Sequence, residues 1–77
     1  MRAIIENPGD LGRVVRRLRE SRGWTQRELA EGLGTSQRYV HELETGKPKR
    51  ADAQFFAIIA RLGITLTATT AEAPSDG

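Results

Sequence analysis

The chain is predicted to be an all-α domain built around a helix-turn-helix. Apolar residues recur at helical spacing along most of its length, and capping residues and glycines divide that pattern into four short segments. The segment Gln26–Leu43, QRELAEGLGTSQRYVHEL, carries the third observation. Its Ala30, Gly34, Val40 and Leu43 fall where two short helices packed across a tight turn require them. Ala30 is small enough for close approach, and Gly34 is able to take φ > 0 in the turn.

Taken in order, Asp10 is expected to cap a first helix that runs to about Arg22 and is ended by Gly23. Leu11, Val14, Val15 and Leu18 make its single apolar stripe. Trp24 is expected to plug the core between helices. Thr25 and Glu28 form a T-x-x-E capping box that starts the second helix, which runs to Gly32 or Leu33. Ser36 caps the third helix, which continues to about Thr45 and is ended by Gly46. The stretch from Lys47 to Arg50 contains Pro48 and reads as a basic loop. Asp52 caps a fourth helix that reaches about Leu62, with Gly63 as its stop. Its Phe55, Phe56, Ile58, Ile59 and Leu62 exceed one narrow stripe, so part of that surface is expected to face another molecule.

Residues 64–70, Ile-Thr-Leu-Thr-Ala-Thr-Thr, alternate in the manner of a strand. A lone strand leaves its backbone groups unpaired. It has two routes to pairing: the strand-like segment Arg2–Ile5, or its own copy in a dimer. The dimer is favoured because it also covers the surplus apolar surface of the fourth helix. The expected organisation is therefore an N-terminal arm over 1–9, a DNA-binding domain over 10–62, a dimerisation strand over 63–70 and a disordered tail over 71–77. Phe56, Ile59, Ile64 and Leu66 are the expected dimer contacts.

Composition narrows the function classes. Seventy-seven residues make one small domain with a thin core. No cysteine is present, and His41 is the only histidine, which argues against disulfides and a zinc site. There is no bilayer-length apolar run, and the N-terminal apolar stretch is too short for a signal peptide, so a soluble, cytoplasmic protein is expected. No nucleophile with a neighbouring base, paired carboxylates or glycine-rich phosphate loop appears, so neither an enzyme nor a cofactor is expected. The formal net charge is only +2, but Arg13, Arg16, Arg17, Arg19 and Arg22 crowd one helix. Such a run is ordinarily a solvated face; beside a helix-turn-helix it becomes a source of phosphate contacts.

Recognition is expected on the third helix. Gln37 and Arg38 lie in its first turn, where glutamine suits adenine N6/N7 and arginine suits guanine O6/N7. His41 and Glu42 follow one turn later; Glu42 suits cytosine N4, or excludes other bases by repulsion. Gln26, Ser36, Tyr39, Lys47, Lys49 and Arg50 are the expected phosphate contacts, with Tyr39 equally suited to packing at the helix edge. Arg19 and Glu44 end the first and third helices and are expected to tie them by an ion pair.

The pattern Arg16-Arg17-Leu18-Arg19, Gly23-Trp24-Thr25-Gln26, Glu28-Leu29-Ala30, Leu33-Gly34, Ser36-Gln37, Leu43-Glu44 and Gly46-Lys47 strongly resembles the Xre/Cro–CI family over roughly residues 10–62. The resemblance implies a four- or five-helix lambda-repressor-like domain that binds palindromic operators as a homodimer. It also implies an internal salt bridge between residues matching Arg19 and Glu44. A narrower resemblance, to the HipB-type antitoxins, rests on Gly23-Trp24-Thr25-Gln26 and on Phe55-Phe56-x-Ile58-x-x-x-Leu62 leading into Ile64-Thr65-Leu66-Thr67. It implies a strand after the last helix that pairs across the dimer, repression of the protein's own operon, and a HipA-type serine/threonine kinase toxin as partner. Glu42 in the recognition helix, the basic Lys47–Arg50 loop and the unanchored tail are departures, and the operator sequence stays open. A stand-alone Xre-type regulator and an inhibitory interaction module without DNA binding are the alternatives.

Overall fold

The computed structural model describes residues 1–72. The expected disorder of 71–77 lies outside the described residues for all but the first two positions of that tail. Four helices follow one another: α1 (Pro8–Ser21), α2 (Gln26–Leu33), α3 (Gln37–Glu44) and α4 (Ala53–Arg61). Helix α3 packs against both α1 and α2 and is the centre of the domain.

Each start follows from local chemistry. Asn7 caps α1: its side chain accepts from the Asp10 amide at 2.9 Å, and Pro8 stands in the first turn, where no amide bond is lost. This corrects the expectation that Asp10 is the cap. Asp10 instead sits at the third helical position and reaches back to accept the Glu6 amide at 2.9 Å, closing a capping-box-like exchange. The Thr25–Glu28 capping box is complete, with reciprocal bonds of 3.1 and 2.9 Å. Ser36 accepts from the Tyr39 amide at 3.1 Å, and Asp52 accepts from the Phe55 amide at 2.9 Å. Gly34 takes φ 69° between α2 and α3, the left-handed conformation that an L side chain rarely tolerates.

The core comprises Leu11, Val15, Leu29, Ala30, Leu33, Val40, Leu43, Ile58, Ile59 and Leu62. Val14 and Leu18 are only half-buried at the margin of the α1 stripe. Gly12 is buried in α1, and a Cβ there would stand 2.5 Å from the Leu43 carbonyl oxygen. The α1–α3 approach therefore depends on a glycine with no side chain, a constraint the apolar pattern did not disclose.

Two expectations about packing are corrected. Trp24 is 39% exposed and does not plug the core; the Arg22 guanidinium lies 5.5 Å from its ring centroid. Ile59, expected at a dimer surface, is 1% exposed. At 100° per residue Phe55, Ile58, Ile59 and Leu62 share one face of α4, and that face closes the core. Phe56 points away from it and is 51% exposed, so the surplus apolar surface of α4 is a single phenylalanine rather than a stripe.

No strand is formed among the described residues. The expected strand over residues 64–70 is not formed: these residues follow α4 without regular secondary structure, and Arg2–Ile5 does not pair with them. Ile64 is half-buried against the core, its amide donating to the Ile59 carbonyl at 3.1 Å, whereas Leu66 is 48% exposed.

Candidate nucleic-acid interface

The interface is built on an internal ion pair. Arg19 at the end of α1 grips Glu44 at the end of α3 through two bonds, Nε–Oε2 at 2.6 Å and Nη2–Oε1 at 3.0 Å. The two side chains are 14% and 3% exposed. Arg19 also donates from Nη1 to the Trp24 carbonyl at 2.8 Å, and Gln26 Nε2 donates to Glu44 Oε1 at 3.1 Å. The Glu44 carboxylate thus fastens α1, the start of α2 and α3 at one point. Burial pushes the Glu44 carboxyl up, but hydrogen bonds from Arg19 and Gln26, with the Arg19 charge, outweigh it and hold the group below its ordinary value. The hydrogen bond to Glu44 raises the Arg19 guanidinium in turn. The expected structural pairing of these residues is present.

On that frame α3 turns its outer face to solvent. Gln37, Arg38 and His41 are exposed, and the Arg38 side chain retains 83% of its accessible surface. Ser36 is exposed at the same end; its oxygen accepts the Tyr39 amide, which leaves its own O–H free to donate. Gln26 stands at the first position of α2, half-buried, with one amide hydrogen engaged by Glu44. Tyr39 is half-buried against the core, and burial followed by the Asp52 charge raises its phenol.

Glu42 is placed differently from its expected companions. Its carboxylate is turned toward the loop after α3, where Oε2 lies 2.7 Å from Lys47 Nζ and Oε1 lies 2.6 Å from Lys49 Nζ. Arg38 Nε is a further 3.5 Å neighbour of Oε2. Hydrogen bonds from Lys47 and then Lys49 lower the Glu42 carboxyl to about 2. The side chain of Lys49 is 14% exposed, with its ammonium 4.4 Å from the Tyr39 ring centroid as well as against Glu42. Lys47 keeps 58% of its side-chain surface, and Arg50 is exposed. Of the three loop cations expected to meet phosphates, Lys47 and Arg50 are therefore open and Lys49 is enclosed. The Lys49–Tyr39 contact was missed; the nine residues between them in sequence carry no periodic signal for it.

The arginines of α1 serve mainly within the protein. Arg13 pairs with Asp10, Arg16 with Glu20 at 3.4 Å and Arg19 with Glu44. Arg22 donates to the Leu62 carbonyl at 3.2 Å. Arg61 does the equivalent for α2, donating to the Leu33 carbonyl at 2.8 Å, and both close helix C-termini whose last carbonyls lack intrahelical partners. Among the described residues, no group of three or more histidines, cysteines or acids is arranged to hold a metal ion, and no helix is long and apolar enough to cross a membrane.

This geometry is shared with known proteins. Residues 10–72 match the family described as Helix-turn-helix domain. Antitoxin HipB of Escherichia coli (strain K12) is 30% identical over 63 residues, which are 82% of this chain and 72% of that protein. An HTH-type transcriptional regulator of Sinorhizobium fredii, y4mF, is 32% identical over 62 residues, 80% of this chain and 82% of that one. Among solved structures, a HipB-O4 20mer complex superposes with a TM-score of 0.72 at 28% identity, covering 92% of this chain and all of the other. A chain of a HipA-HipB-O2-O3 complex gives 0.71 at 27%, again over 92% and 100%. With its capped α2–turn–α3 unit, polar outer face and these relatives, the chain belongs to the Xre-type helix-turn-helix family of DNA-binding regulators, to which the HipB antitoxins are similar.

Proposed function

We propose that this protein is a sequence-specific repressor that binds a palindromic operator as a homodimer and serves as antitoxin to a HipA-type kinase whose operon it represses. The observation that carries the DNA-reading part is the exposed first turn of α3. Gln37 and Arg38 stand there beside the Ser36 cap, with His41 one turn on and Lys47 and Arg50 beyond the helix end. Gln37, Arg38 and His41 are assigned to base edges. Ser36, Lys47 and Arg50, with the free amide hydrogen of Gln26, are assigned to phosphates. Tyr39 and Lys49 act from behind this face by supporting α3 and the loop. These residues belong to a cytoplasmic protein acting on duplex DNA.

The dimer reading is supported by Phe56 and Leu66, both about half exposed, and by the alternating residues 64–70, which have no pairing partner among the described residues. A second copy supplies the missing strand edge and brings two α3 helices to half-sites about one helical turn apart. Similarity to HipB, and to a chain of a HipA-HipB-O2-O3 complex, supports the toxin partner. Similarity to y4mF, described as an HTH-type transcriptional regulator, supports the regulator part of this reading, which the alternative of a stand-alone regulator shares.

The test is binding to a duplex selected from a randomised library, followed across a salt series. Arg38→Ala should lower discrimination at one base position by roughly 1–3 kcal/mol, whereas Lys47→Ala should weaken all sequences alike. Binding that is flat in salt and blind to sequence rejects the DNA reading. Failure of the kinase encoded beside this gene to co-purify, or the absence of such a gene, leaves the regulator without a toxin.

A further inference from the structure

The carboxylate of Glu42 is surrounded by three cations, two of them on the loop that leads away from the recognition helix. Lys47 Nζ and Lys49 Nζ lie 2.7 and 2.6 Å from its two oxygens, and Arg38 Nε lies 3.5 Å from one of them. The surroundings of these cations differ. Lys49 is enclosed between Glu42 and the Tyr39 ring, so it fixes the loop on α3. Lys47 and Arg38 are open to solvent, at 58% and 83% exposure, so a phosphate or a base is able to replace the carboxylate. The Lys47 amide also donates to the Glu42 carbonyl at 2.9 Å, which holds the loop's first residue over the end of α3 whatever its side chain contacts.

We propose that Glu42 is a specificity-determining residue: an internal anion that competes with DNA phosphates for Lys47 and Arg38, so that contacts to the backbone alone are weakened relative to contacts at a cognate site. This rests on the DNA-binding reading above. The physical reason is that sequence-independent affinity comes almost entirely from cations meeting phosphates, each releasing a condensed counterion. A cation already neutralised by a carboxylate releases less and must first exchange partners. The carboxylate then remains near the duplex, where it repels the phosphates. At a cognate site Arg38 has a base edge to bind and leaves the carboxylate for it; at a random site it has no such partner and stays with Glu42. Although the Lys47 penalty is common to both, the Arg38 part therefore falls on the random site. Glu42 stays ionised throughout the working pH range because its lysine partners hold its carboxyl far below neutrality. A carboxylate on the outer half of a recognition helix is thus a means of raising the ratio of specific to non-specific binding, the quantity that matters against a genome of competing sites.

The decisive variant is Glu42→Gln, which keeps the shape and removes the charge. Binding to a random-sequence duplex is expected to tighten about tenfold at low salt, the effect of removing one unit charge near the backbone. The magnitude of its log–log salt slope is expected to increase by about one ion. Binding to the duplex selected by the wild-type protein should tighten less, so the specificity ratio falls. In a Lys47→Gln background the part of the Glu42→Gln gain common to both duplexes should disappear, since that cation is gone, whereas the difference between the duplexes, carried by Arg38, should remain. Equal tightening on both duplexes, or no tightening on the random one, overturns the proposal. If the wild-type protein itself shows no salt-dependent binding, the DNA reading has failed rather than the role of Glu42. Should Glu42→Gln not fold, the wild-type protein still decides by NMR of its lysine ammonium groups. In free protein both Lys47 and Lys49 should be retarded in hydrogen exchange, and random duplex should shift Lys47 while leaving Lys49 in place. A Lys47 signal unmoved by saturating duplex overturns the proposal.

Discussion

Replacing Arg19 by methionine removes the cation but keeps much of the side-chain volume, and leaves the Glu44 carboxylate 3% exposed with only Gln26 as a side-chain partner. Breaking a buried pair from one side costs about 3–5 kcal/mol. The 14% exposure of Arg19 and the remaining Gln26 bond argue for the lower part of that range, about 3–4 kcal/mol at pH 7. A domain of this size is stable by only about 4–12 kcal/mol, and each kcal/mol moves Tm by about 4–8 °C, so the loss is large. The pH dependence identifies the cause. In the wild-type protein the folded-state Glu44 carboxyl lies below its ordinary value of 4.5. It therefore contributes stability that is present above that value and lost as pH falls through the folded value. In Arg19→Met, burial is no longer countered by Arg19, so the folded carboxyl lies above 4.5. Protonation then returns stability as pH falls through that raised value. The difference between the two proteins should be full at pH 7, narrow as pH falls through the variant's raised value, and narrow again below 4.5 as the wild-type carboxyl is protonated, leaving a remainder from the lost bond to the Trp24 carbonyl. Urea unfolding at a series of pH values measures it. A difference below about 0.5 kcal/mol at pH 7, the level of an ordinary surface substitution, or one that does not change with pH, refutes the reasoning.

Gly12→Ala places a Cβ 2.5 Å from the Leu43 carbonyl and 2.6 Å from that of Glu44, both backbone atoms that cannot rotate away. Forcing α1 off α3 should cost at least the roughly 1–3 kcal/mol of an overpacked core, outweighing the helix propensity alanine gains over glycine, and thermal melting reads it directly. For the dimer, Leu66→Pro should remove one ladder bond and shift sedimentation toward monomer, with α-helical circular dichroism unchanged. A dimer that persists unaltered would reject cross-subunit pairing of residues 64–70.

The legibility of this chain varied with the range of the interaction. Helix starts at Thr25, Ser36 and Asp52 were readable because a cap is a bond between residues three apart, written in the local sequence. The start of α1 was misplaced because two competent caps, Asn7 and Asp10, stand three residues apart. Asn7-Pro8 was the overlooked signal: proline is favoured in the first turn and follows a cap naturally. Arg19 and Glu44 were paired from sequence because each marks the end of a helix in a familiar arrangement, and the structure joins them at 2.6 Å. By contrast, Ile59 was placed outside and Trp24 inside. An apolar residue's side depends on which face of its helix meets the rest of the chain, and composition does not state that.

The sequence by itself therefore determined the four helices, the starts of three of them and the exposed first turn of α3 that carries Gln37 and Arg38, but not the expected strand over 63–70, which is not formed among the described residues. The tertiary structure decided what those residues have for neighbours. Gly12 became the contact point of α1 and α3, Phe56 the single exposed aromatic of α4, and Glu42 the anion between Lys47 and Lys49. The physical reason is one of range. Capping and periodicity act over three or four residues and are written in the chain, whereas close approach and charge placement depend on where separate segments are brought together. Glu42 is the clearest case: as a letter in a recognition helix it pointed at bases, and the path of the following loop turned it toward two lysines.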